Sequence, residues 1–165
     1  MKNLSANQQK WLKAIHLFFA CLWVGGAFSI TLMGFLLKAK DGGELYGQNF
    51  AKLIIDYFVI IPGAMGCLAT GILYAVFTRW GWFKHTWIIA KWCITAFGII
   101  FGTFWLGFWM EKSAELSKIH GIDALVLPEY IKTHQLLDFW GVFQLSTLLF
   151  ALFISTIKPW KILKS

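Results

Sequence analysis

The chain has 165 residues, 58% of them hydrophobic and only 14% charged, against roughly 25% charged in an average soluble domain, which excludes an ordinary water-soluble fold. Its net charge of +7 sits at the ends of apolar runs, leaving no soluble basic face to bind nucleic acid. Cys21, Cys67 and Cys93 fall in three different apolar runs without a CxxC, so they form neither a disulfide framework nor a zinc site and read as small hydrophobes.

Apolar runs of about the 20 residues that a bilayer requires occur at residues 14–37, 53–78, 87–110 and 136–157. They use up residues 1–165 as one domain: an all-α, polytopic, four-transmembrane-helix up-down bundle. The first run is too long for a signal-peptide core and is followed by three more, so it is expected to be a retained helix.

Lys2, Lys10, Lys13, Arg79, Lys84, Lys91, Lys158, Lys161 and Lys164 lie on the side shared by both termini and the middle link, where there is no acid. The other side holds Lys38, Lys40, Lys52, Lys112, Lys118, Lys132 and every acid, from Asp41 to Asp138. The positive-inside rule then places both termini in the cytoplasm and the chain in the cell inner (cytoplasmic) membrane as a multi-pass protein. The lipid bilayer, with anionic headgroups, is its expected partner.

In chain order, Ser5 or Asn7 can cap the first helix and Trp11 can anchor it at the interface. His16, Ala20, Trp23, Ala27, Ile30 and Gly34 alternate in steps of four and three, which puts them on one helical stripe facing protein. Asp41, Gly42 and Gly43 signal a short outer turn. Span two enters at Asp56, is expected to bend at Pro62 and Gly63, and carries a packing stripe of Gly63, Cys67, Thr70 and Tyr74.

The link RWGWFKHTW is basic and rich in tryptophan, as suits a headgroup layer. Span three has its own stripe, Lys91, Thr95, Gly98, Gly102, Trp105 and Trp109, whose GxxxG leaves room for a homodimer. The helical pattern continues through EKSAELSK until Gly121, and Pro128 can open the next helix. Helices three and four are therefore expected to extend outside as a hairpin, by ~15 Å at 1.5 Å per residue. The last span ends at STIKPWK, where Pro159 stops it and Trp160 sits at the interface.

His16 is the only histidine inside a span, and an ionisable residue there points to function. Lys91 shares its layer, with Arg79, Ser155 and Thr156 at the same level. Two cationic groups facing one another without an acid would repel, so an anion or a neutral His16 must relieve them. Heme b, with an iron for imidazole and carboxylates for lysine, meets both demands. His16 would ligate the heme iron, Lys91 would pair a propionate, and Trp23 would wall the pocket. The plainer alternatives are a Lys91 that snorkels and a His16 that bonds to helix four. A quinone or another electron partner would then be implied.

The string KAIHLFFACLWVGGAF resembles the first helix of HemJ-type protoporphyrinogen oxidases and of CopD-type copper-resistance membrane domains. IIPGAMGCLATGILY, WIIAKWCITAFG and IKPW are similar to the second-helix, third-helix and closing patterns of HemJ-type proteins. The resemblance implies a heme b ligand at His16, a required lysine at Lys91, and membrane oxidoreductase chemistry. Gly25 and Gly26 after Trp23 are closer to the CopD pattern, and AKLIIDYFVIIPG carries Asp56 where HemJ-type chains have arginines. A copper or small-anion transporter or accessory subunit without cofactor is the alternative.

A second group lies at the outer side. Glu111 with Glu115, and His134 with Asp138, are spaced i, i+4 on antiparallel extensions. They either face each other as a divalent-metal or proton site, or pair with Lys112, Lys118 and Lys132 on a solvated hairpin.

Overall fold

The structure, a computed structural model, describes residues 4–78 and 81–157. Four long helical runs make it up: α1 (Ala6–Leu36), α2 (Gly42–Phe77), α3 (Thr86–Val126) and α4 (Pro128–Ile157), each long and apolar enough to cross a membrane. Phe18, Phe58, Phe104 and Phe139 are 59%, 75%, 69% and 65% exposed in mid-helix. Leaving such a side chain in water forfeits about 1.5–3 kcal/mol apiece, so lipid is the medium these faces are made for. The chain is a multi-pass membrane protein.

Consecutive helices run antiparallel. Leu4 N donates to Phe77 O at 3.1 Å, and Tyr74 OH to Gln9 O at 3.4 Å, tying the start of α1 to the end of α2. Lys112 of α3 pairs with Glu129 of α4. The end of the bundle with residues 4–10, 77 and 86 is called the near end, and that with residues 37–41 and 121–127 the far end. Lys2, Arg79, Lys158, Pro159, Trp160, Lys161 and Lys164 lie outside the described residues.

Local chemistry explains the helix ends. Ser5 caps α1 in a reciprocal box: Gln8 N donates to Ser5 Oγ at 3.3 Å and Ser5 N to Gln8 Oε1 at 2.9 Å. Gly121, at φ +57°, ends the α-helical part of α3, and Pro128 opens α4.

At the far end α2 begins eleven residues before the expected boundary at 53. Asp41 Oδ1 accepts from Glu44 N at 2.8 Å and starts a helix there. Glu44, Gln48, Asn49 and Lys52 keep this segment below the hydropathy of a span, yet its inner face is buried through Leu45 and Asn49. Asn49 Nδ2 donates to Ser117 Oγ at 3.1 Å and Tyr130 OH at 3.0 Å. The far-end extension is therefore a three-helix cluster, and the two-helix hairpin expected from the sequence is replaced.

Pro62 does not act as a simple hinge. The residues before it, Asp56–Ile60, form a π turn in which Ile61 N bonds to Asp56 O. The wider turn absorbs the lost amide of Pro62 and the clash of its ring. A second π turn, Gly102–Leu106, interrupts α3.

α1 lies chiefly along the second half of α2, and glycine allows the close approach. A Cβ on Gly63 would sit 2.6 Å from Trp23 N, and one on Gly26 would sit 2.6 Å from Ile60 Cγ1. Trp23, Ala64, Cys67 and Leu148 form the buried centre. The second half of α2 and the first half of α3 touch only sparsely.

Candidate functional site

Helix spacing brings a polar layer together at the near end. His16 lies ten residues into α1, Thr70 two turns from the end of α2, and Lys91 five residues into α3. His16 Nδ1 is 2.6 Å from Thr70 Oγ1. Thr70 Oγ1 in turn donates to Gly66 O, also at 2.6 Å. A hydroxyl has one proton. With that proton on Gly66 O, the contact to His16 is made by the imidazole Nδ1–H, and Nε2 keeps its lone pair.

The surroundings hold the ring in place. Tyr74 meets it edge-on at a centroid distance of 6.0 Å, and Cys67 Sγ approaches His16 O at 3.9 Å. Lys91 is half-buried, lies within electrostatic range of both His16 and Cys67, and makes no ion pair among the described residues. His16 and Lys91 therefore share one layer, and the partner of His16 is on α2 where a bond to helix four had been the plainer expectation.

Trp23 stands seven residues, about 10 Å, further along α1 than His16. Its buried indole lies against α3, where a Cβ on Gly98 would come within 2.9 Å of Trp23 Cζ2. Gly98 and Gly102 thus receive the Trp23 ring and the Gln144 side chain. Those two glycines are spent on contacts inside the bundle. Ser155 and Thr156 contribute no bond to the His16 layer; Thr156 Oγ1 donates to Leu152 O of its own helix at 3.1 Å.

The outer carboxylate and histidine group is not assembled. Glu111 bonds to Tyr57 on α2, while His134 Nδ1 is 3.0 Å from Asp138 Oδ2 on its own helix. Among the described residues no three His, Cys, Asp or Glu side chains are grouped to hold a metal ion. Lys112 is engaged by Glu129, in keeping with the solvated-hairpin alternative.

Toward the far half, polar residues meet that the sequence reading left apart. Lys52, Asp56, Asp138 and Gln144 line one cavity between all four helices. Gln144, the one amide in the apolar run 136–157, was the available signal for it.

No family model, curated protein or solved structure matches the chain. The HemJ-type and CopD-type likeness therefore rests on the quoted strings.

The residues present fit a heme at the near-end layer on three counts. Heme ligation needs an imidazole nitrogen with a free lone pair and a hydrogen-bonded opposite nitrogen, and His16 with Thr70 supplies that arrangement. Propionates need a cation, which Lys91 supplies without a competing acid. A flat macrocycle needs a yielding wall, and the near-end α2–α3 seam beside Thr70 and Lys91 is sparsely packed.

Proposed function

We propose that the protein is a b-type heme-binding, redox-linked membrane protein, with the near end of the bundle facing the cytoplasm. The observation that carries this reading is the 2.6 Å contact between His16 Nδ1 and Thr70 Oγ1, beside a Lys91 that makes no ion pair among the described residues. A purely structural histidine needs no such neighbour, because a second basic group in low dielectric raises the cost of the layer.

Each residue has a defined task. His16 would present Nε2 to the iron, Thr70 holds the tautomer through Nδ1, Lys91 would neutralise a propionate, and Tyr74 packs edge-on against the imidazole. The heme, when bound, supplies one-electron chemistry that no side chain of this layer offers. The wall of apolar helix around the layer excludes water and so tunes the potential. The orientation rests on the basic residues Lys10, Lys13, Lys84 and Lys91, all at the near end.

The absorption spectrum of purified protein tests the reading. A Soret band at one b-type heme per chain, lost in His16→Ala, is the expected result. A colourless protein that takes up no added heme overturns it.

A further inference from the structure

The far half of the bundle encloses a cavity of about 110 Å³ to which all four helices contribute. Its walls are apolar, with Trp23, Ile30, Ile60, Ile99 and Leu106 among them. Both π turns lie at this level: Asp56–Ile60 contributes Asp56 and Ile60, and Gly102–Leu106 contributes Gly102 and Leu106. Wide turns of this kind displace backbone and side chains from regular helical positions and are frequent at functional sites.

Polar groups sit at two ends of this space. At the inner end Gln144 is only 5% exposed. Its Nε2 donates to Gly98 O at 3.3 Å, but its Oε1 has no hydrogen-bond partner although it is fully shielded. A buried carbonyl left this way is costly, and a donor in the cavity satisfies it once the Gln144 side chain turns toward that space. At the outer end Asp138 Oδ1 and Lys52 Nζ converge on Gly34, 3.2 and 4.0 Å from where its Cβ would stand. Buried Asp56 lies one turn inward of Lys52. Six residues separate Asp138 from Gln144, about 9 Å along α4, which is comparable with a six-membered ring bearing an oxygen and a hydrogen bond at each end.

The cavity reaches the bilayer through its side. Met65 on α2 and Thr103 on α3 line it and are exposed, at the sparse α2–α3 seam. A ligand entering there comes from lipid. It needs an apolar flat body, a donor for Gln144 Oε1 or Asp56, and an acceptor for Lys52. A bare acyl chain leaves Gln144 Oε1 unsatisfied.

We infer that this cavity is a binding site for a lipid-soluble quinone and quinol, held between Gln144 at one end and Lys52 with Asp56 at the other. With its side chain turned into the cavity, Gln144 offers Oε1 as acceptor to the quinol hydroxyl; the quinone oxygen accepts from Lys52 Nζ. The site is distinct from the His16 layer and stands whether or not that layer carries heme.

The test is equilibrium binding of decylubiquinone and of its reduced quinol to the full chain in nanodiscs, with empty nanodiscs as the partition control. Saturable uptake of one molecule per chain is expected. Gln144→Leu should weaken the quinol about tenfold without lowering the thermal midpoint, because it removes a buried carbonyl that had no partner. Lys52→Met should weaken the quinone more than the quinol. That change of preference decides the matter alone should Gln144→Leu fail to fold. Uptake no greater than in empty nanodiscs, unchanged preference in Lys52→Met, or displacement of the quinol by lower concentrations of decylamine would overturn the assignment.

Discussion

Thr70 Oγ1 stands 2.6 Å from His16 Nδ1 while its own proton goes to Gly66 O at the same distance. This relay from an α2 carbonyl through a hydroxyl to an α1 imidazole sets the tautomer and leaves Nε2 outside the relay. Thr70→Val keeps the shape and removes the relay. It should lower heme affinity by about 10- to 100-fold, the usual cost of losing the partner of a metal-bound histidine, while Thr70→Ser retains most of it. Heme titration followed at the Soret band measures both.

The α1–α2 contact should be intolerant of any side chain at Gly63. Gly63→Ala forces a Cβ to within 2.6 Å of Trp23 N, and overpacking of this kind costs about 1–3 kcal/mol. Gly47 has nothing within 4 Å of its Cβ position and is exposed on α2. Gly47→Ala should raise stability by up to about 1 kcal/mol. Thermal midpoints in one detergent should move in opposite directions.

The first turn of α2 depends on one carboxylate. Asp41→Ala removes the acceptor for Glu44 N and should cost about 1 kcal/mol locally. Hydrogen exchange should quicken at residues 43–46 and stay unchanged near Gly63. Uniform exchange in both places would show that the cap is not what starts this helix.

Membrane orientation has a direct readout. In a background lacking Cys21, Cys67 and Cys93, Lys84→Cys should be labelled by an impermeant maleimide only from the cytoplasmic face, and Lys118→Cys only from the opposite face. Both positions are exposed at opposite ends of the bundle. The reverse pattern contradicts the orientation drawn from the lysines.

Much of this architecture was legible in the sequence because single residues carried it. The near-end boundaries at 77 and 86 follow from the hydropathy of the spans, and Ser5, Gly121 and Pro128 act through their own backbone chemistry. The stripe Gly63, Cys67 and Thr70 is buried as its spacing implied. Three features were hidden for identifiable reasons. The segment after Asp41 is amphipathic, so a search for uninterrupted apolar runs passes over it. Pro62 signals a disturbance, but its form as a π turn depends on how α2 meets α1 and α3. In α4 apolar residues run all round the helix, so periodicity does not say which face Gln144 occupies. Trp23 is buried on the same stripe as His16, as the spacing implied, and lies seven residues of rise further along α1.

The central claim is that His16 and Lys91 surround one cofactor, and heme affinity per folded chain tests it most directly in wild type, Lys91→Met and Lys84→Met. Lys91 is half-buried and close to His16, while Lys84 is exposed in the link before α3. Removing the partner of a buried charge costs about 3–5 kcal/mol, and each 1.4 kcal/mol is tenfold in affinity. Lys91→Met should therefore bind heme at least about a hundredfold more weakly with its fold intact, and Lys84→Met should match wild type. Equal heme affinity in all three proteins would contradict the claim.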